Sequence, residues 1–310
     1  MYLKFKNIIP VILLLLISSL SADNLDDLTN KAVTKSLDKV GSVIKELIPG
    51  EGDTEITITT QDTYNLKYSI LAVRPVAMNP FKTIENNHLL FTQFSLSNTE
   101  PFANGDDRIV LNTGLGLRTL VQDGNAIFGA NIFYDHEFEQ EHQRASFGLE
   151  YLTPSFEAYA NLYERLSDAT TYAVSASTNA SETVVNGYDV SLVGQLPYMP
   201  WGKVVYKAYN WDTSGKDTKG KRYNLEARLS SNMILELGRN DQDGLANEDF
   251  GSIIFRWPSG NDTPTIITHT YTDNMFAQKD MSNEMLHKVR RTNSIVTERL
   301  SGGLIITRGN

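Results

Sequence analysis

From Thr54 onward the chain alternates apolar and polar residues with a period of two, in stretches of about ten residues, and the pattern recurs some twelve times before residue 258. Successive side chains of a strand point to opposite faces, so each stretch carries one apolar and one largely polar face. Arg108–Val121 is the clearest example: Ile109, Leu111, Thr113, Leu115, Leu117, Thr119 and Val121 share one face, while Arg108, Asn112, Gly114, Gly116 and Arg118 lie on the other. The stretches fall near 54–60, 64–74, 88–97, 108–121, 125–136, 143–152, 155–166, 185–197, 202–212, 221–231, 232–240 and 247–257. Strands in globular proteins usually run about 5–6 residues, whereas a tilted strand needs about 9–11 to cross a bilayer. A soluble sandwich would bury the apolar faces in its core; strand length favours lipid.

A sheet in hydrocarbon must close, because each unpaired edge group there costs several kcal/mol. The expected fold is therefore all-β, a 12-stranded antiparallel transmembrane β-barrel over residues 53–258. Its lumen would be lined by Arg108, Asn112, Arg118, Asn131, Arg144, Glu150, Asn224, Glu226, Arg228 and Arg256. In a water-filled lumen those arginines, with Arg222, need no partner; on a dry core face each unpaired charge would cost several kcal/mol. The connections alternate in length. Those after the fourth, sixth, eighth and tenth strands are tight (QDGN, TPS, YMPWG and the Ser231-Asn232 junction), while residues 98–107, 167–184 and 213–220 form longer polar loops. Short turns on the periplasmic side and long loops outside are the habit of such barrels, although residues 75–87 are long for a periplasmic turn. Tyr151, Tyr198, Trp201 and Trp257 sit near the short-turn ends, where aromatics anchor at the lipid–water interface.

The N-terminus has the layout of a secretory signal peptide over residues 1–22: Lys4 and Lys6, an apolar run interrupted by Pro10, then small residues near Ser21 and Ala22. Residues 23–52 read as a short periplasmic helix and linker, with Leu25, Leu28, Ala32, Val33, Leu37, Val40, Ile44 and Ile48 at helical spacing before Pro49-Gly50. A net charge of −9 speaks against nucleic acid as a partner, and the lack of cysteine excludes disulfides and thiolate chemistry.

Several phrases resemble, in order, the β-domain of inverse autotransporters, the intimin/invasin family of outer-membrane adhesins. They are YSILAVRPV, HLLFTQFSLSN, RIVLNTGLGLRTL, AIFGANIFYDHEF, RASFGLEYLTPSFEAYANLYERLSD, NGYDVSLVGQLPYMPWGKVVYKAYNWD and VRRTNSIV. The resemblance implies a barrel inserted into outer-membrane lipid by periplasmic chaperones and the barrel-assembly machinery. It also implies a segment after the last strand that re-enters the lumen, for which Val289, Arg290, Arg291, Asn293, Ile295 and Val296 are the matching residues. Family members export a C-terminal passenger of immunoglobulin-like domains; here only TERLSGGLIITRGN follows Val296. The expectation is thus a translocator-type barrel without a passenger of its own, with a separately encoded passenger or a host surface ligand as partner. A passive pore or structural membrane protein is the alternative.

No cofactor, metal or catalytic residue is expected. Asp135, His136 and Glu137 are adjacent in sequence, but on a strand Asp135 and Glu137 share a face and His136 takes the other. His88, His142, His269 and His287 have no zinc-ligand spacing. Gly114-Leu-Gly116 lacks the third glycine of a dinucleotide loop and reads as lumen clearance or a bend. Residues 259–310 form a tail, with MSNEMLHKVRRTN a short helix, and part of this tail is expected in the lumen.

Overall fold

Sixteen strands follow one another in the computed structural model, which describes residues 46, 48–61, 66–76, 87–99, 108–175, 178–258, 265–266, 271–301 and 304–308, with backbone alone at 174–175, 178, 301 and 304–308. The signal peptide and nearly all of the helix expected before residue 52 lie outside the described residues. In order the strands are β1 (Thr54–Gln61), β2 (Leu66–Pro75), β3 (His88–Thr99), β4 (Arg108–Val121), β5 (Ala126–Glu137), β6 (Gln143–Leu152) and β7 (Phe156–Arg165). A hairpin of β8 (Thr170–Ser175) and β9 (Thr178–Val184) precedes β10 (Gly187–Leu196), β11 (Met199–Trp211), β12 (Thr218–Arg228), β13 (Met233–Gln242) and β14 (Glu248–Trp257). A 3-10 turn (Met281–Glu284) then leads to β15 (Thr297–Ser301) and β16 (Leu304–Arg308).

Twelve of these strands, all but β8, β9, β15 and β16, form a closed antiparallel barrel in which β14 returns to pair with β1. A ten-residue strand rises about 33 Å, and at a tilt of 35–45° it spans the roughly 25 Å apolar band of an outer membrane. The faces separate sharply. Leu115, Ile132, Leu162 and Leu237 are 48%, 58%, 61% and 53% exposed on the outside, whereas Arg118 and Asp135 are fully buried on the inside. The β4–β5 hairpin turns on Gln122 and Asp123, both in the left-handed region at φ 53° and 55°, the pair of positive φ values that suits the twist of a tight hairpin. Gly114 and Gly116 leave room inside the barrel: a Cβ there would lie 2.4 Å from the Phe133 ring and 2.3 Å from the Phe91 ring.

The remaining strands build a second, four-stranded sheet in the order β16-β15-β9-β8 at the long-loop end. The sequence reading leaves both parts of it as loop and tail. SDATTYAVSASTNASETV carries no apolar alternation, and its strands gain their definition from backbone pairing with β15, a tertiary effect that local propensity does not register.

A second difference concerns the interior. The lumen arginines were expected to face water without partners, yet Arg108, Arg118 and Arg144 are buried and paired with carboxylates. The reason is that residues 281–296 lie inside the barrel in place of water. At the short-turn end Met281, Met285, Leu286 and Val289 pack with Leu71, Val73, Phe91, Ile127, Leu152, Tyr159, Val193 and Val205 into one apolar cluster.

Candidate functional site

The sequence MLHKVRRTNSIV, residues 285–296, runs in extended form along the lumen, so that alternate side chains reach opposite walls. The 3-10 turn that starts it is capped by Asp280, whose side chain accepts from the Ser282 N–H at 2.9 Å. Beyond the turn the even-numbered residues reach carboxylates on four strands. Lys288 Nζ lies 2.5 Å from Glu55 on β1. Arg290 makes a two-pronged contact with Glu226 on β12 at 2.7 and 2.9 Å and approaches Glu157 on β7 at 3.3 Å. Thr292 Oγ1 donates to Asp189 on β10 at 2.7 Å.

The odd-numbered residues turn the other way. Val289 enters the apolar cluster. Arg291 donates to Asp135 at 2.9 and 2.6 Å and stacks over the Phe133 ring at 4.4 Å. Asp135 is the hub of this wall, because Arg144 also donates to it (2.9 and 2.7 Å), as does Asn112 (2.7 Å). Register makes that cluster: Asp135 faces Arg144 across β5–β6 and Asn112 across β4–β5.

Main-chain groups of the segment are held by side chains of the barrel. Arg118, locked by Glu150 at 2.6 and 3.0 Å, donates to the carbonyls of Met285 and His287. The Val289 N–H donates to Gln93, and Asn161 donates to the Arg290 carbonyl. Arg144 and Asn112 donate to the carbonyls of Thr292 and Asn293. Buried main-chain groups cost about 1–3 kcal/mol each when left unbonded, and here the lumen side chains take over what a neighbouring strand would otherwise do.

At the long-loop end the segment becomes part of a sheet. The Val296 carbonyl accepts from the Val185 N–H at 3.1 Å, and β15 then pairs with β9 from Thr297↔Val184 to Ser301↔Ala180. Ile295 packs on Val110 and Val184; Val296 packs among Tyr163, Val185, Tyr209 and Trp211. Beside them Glu182 of β9 accepts from Arg108 at 2.6 and 2.7 Å and from Tyr172 at 2.8 Å, with Arg299 of β15 at 3.4 Å and His142 at 3.5 Å. Burial would raise the Glu182 carboxyl, but hydrogen bonds from His142 and Arg108 outweigh it and hold the group well below the usual carboxylate range.

Other residues singled out from the sequence lie apart from this path. Asn131 and Asn224 are buried on inward faces, and among the described residues neither the Asn131 amide nor the Asn224 Nδ2 has a hydrogen-bond partner. Arg256 pairs with Asp53, and Arg228 donates to the Ser231 carbonyl at 3.5 Å, both at the short-turn end. Of the four aromatics, Tyr198 is exposed on its turn, Tyr151 and Trp201 are half-buried, and Trp257 is buried against Phe255. His136 points outward between Tyr134 and Phe138, away from inward-facing Asp135 and Glu137. Sequence reasoning missed Glu55, Glu157, Glu182, Asp189 and Lys288. Glu55, Glu157 and Asp189 occupy inward positions on barrel strands, a signal the alternation does carry, whereas Glu182 lies on β9, which shows none; which cation each one meets depends on register and on segments far along the chain.

The fold has solved counterparts. A chain from a study of the in-meso crystallisation of membrane proteins superposes with a TM-score of 0.63 at 18% identity, over 80% of this chain and all of that one. An attaching and effacing protein homolog of Escherichia coli strain K12 is 29% identical over 194 residues, which is 59% of this chain and 58% of that protein's length. The family model for the inverse autotransporter β-domain matches residues 17–293. Twelve membrane-length strands closed into a barrel and a family match over most of the sequence lead to one assignment: the chain belongs to the inverse autotransporter β-domain family and is a β-barrel of the outer membrane.

Proposed function

We propose that this protein is a translocator-type barrel that carries a polypeptide from the periplasmic to the outer face of the membrane and holds it there. The observation that carries the reading is the charge-matched path through the lumen, where Lys288, Arg290 and Arg291 meet Glu55, Glu226 and Asp135. A chain merely packed as a stopper needs apolar contact; one held at a fixed register needs partners at successive residues, and residues 288–293 have them. In this reading a signal peptide over residues 1–22 directs export, residues 23–52 stay in the periplasm, residues 53–258 form the barrel and residues 259–310 are the crossing segment. The apolar cluster at the short-turn end argues against a permanently open pore. Periplasmic chaperones and the barrel-assembly machinery are the partners during insertion. Surface attachment to a host ligand is the role of whatever passenger the crossing segment presents, continuous with it or separately encoded.

The test is display. A small epitope-tagged immunoglobulin-like domain joined after Asn310 should appear on the surface of intact cells and be removed by added protease. Retention of that domain in the periplasm, with the barrel correctly inserted, contradicts the proposal.

A further inference from the structure

The threaded segment does not fill the lumen. Beside it, against β1, β2 and β11–β14, lies a cavity of about 990 Å³ lined by Thr59, Gln61, Ser69, Lys207, Arg222 and Asn224 among others. It reaches residues 245–247 of the β13–β14 connection and Glu248 at the start of β14, at the long-loop end, whereas the apolar cluster closes the barrel at the other end. Among the described residues the space is therefore closed toward the short turns and opens toward the long loops.

Its wall sets two cations side by side. Lys207 and Arg222 are directly opposed across β11–β12, both facing inward, and like charges so placed, with Cβ atoms about 5 Å apart, repel. Each has a carboxylate in ion-pair range but none in hydrogen-bond contact. Lys207 Nζ is 3.8 Å from Asp189, whose oxygens are already engaged by Asn161, Tyr163 and both the N–H and hydroxyl of Thr292. Its one hydrogen bond, to Thr292 Oγ1, is 3.3 Å long. Arg222 lies over the Phe250 ring at 3.6 Å and 3.8 Å from Glu236. Two residues along β12 on the same inward face, Asn224 is 93% buried and its Nδ2 has no acceptor. Two cations and an amide without an acceptor among the described residues thus line one cavity wall.

We propose that this wall binds a small oxyanion, phosphate or carboxylate, held by Lys207 and Arg222 with Asn224 donating a third hydrogen bond. Charge-assisted bonds of this kind are the strong ones, and the anion relieves the repulsion between the two cations. An outward-opening site admits either free phosphate or the carboxylate of an acidic saccharide.

Titration calorimetry on the full chain in detergent, at constant ionic strength, separates these sources. The probes are inorganic phosphate and glucuronate, with glucose as the neutral control. At least one anion should bind saturably while glucose does not, and Lys207→Gln or Arg222→Gln should weaken that anion at least tenfold. A second readout stands apart from calorimetry. Saturating anion should raise the unfolding temperature of the wild-type barrel, whereas glucose should leave it unchanged. Absence of binding by both anions, equal binding by the Gln variants, or an unfolding temperature unmoved by both anions would each overturn the proposal.

Discussion

Asp135 accepts hydrogen bonds from two arginines of very different origin, Arg144 on the neighbouring strand and Arg291 on the segment inside the barrel. Removing the carboxylate leaves both guanidinium groups buried without their anion, and breaking such a buried pair costs about 3–5 kcal/mol. Asp135→Ala should therefore lower the unfolding temperature of the barrel in detergent and loosen residues 288–293, seen as faster proteolysis after Arg290 and Arg291. Asp135→Asn keeps the shape and part of the hydrogen bonding and should fall between wild type and Asp135→Ala. The sequence told which way Asp135 points, since strand alternation puts it opposite His136. It could not reveal the pairing, because Arg291 lies 156 residues away and no local pattern links the two.

Between β9 and β15 the determining interactions are main-chain pairing and one carboxylate. Glu182 ties β9 to Arg108 of the barrel and to Arg299 of β15, so it fixes the crossing segment where it emerges. Its pKa is depressed in the folded protein. The stabilisation from such a group is fully present above the ordinary carboxylate pKa and is lost as pH falls through the lower, folded value. Protection of β15 from added protease should thus persist from neutral pH to below the ordinary carboxylate value of 4.5 and fail only in stronger acid. Glu182→Gln should shed that protection at neutral pH. Loss of wild-type protection near pH 5, or an unaffected Glu182→Gln variant, would show that the carboxylate does not hold the strand. The barrel strands were legible because lipid on one side and a polar interior on the other impose alternation; β8, β9, β15 and β16 meet no such contrast of solvents and left no trace.

At the scale of the whole molecule, the barrel and its contents are separate physical problems. Closure follows from the cost of a bare sheet edge in hydrocarbon, and twelve strands of membrane length were countable from alternation alone. What occupies the lumen was legible only through the resemblance of VRRTNSIV, not from its composition. The assumption of water around the lumen arginines failed because 281–296 supplies carbonyls there and brings Arg290 and Arg291 to the acids. The central claim is that the chain crosses the barrel and that β16 lies on the outer side. With no cysteine in the sequence, single substitutions report location cleanly in living cells. Thr307→Cys should react with a membrane-impermeant maleimide on intact cells as readily as Ser214→Cys in the β11–β12 loop, whereas Asp123→Cys in the β4–β5 turn should react only after the outer membrane is permeabilised. If Thr307→Cys is protected on intact cells and labels only together with Asp123→Cys, the chain does not cross, and the account is wrong.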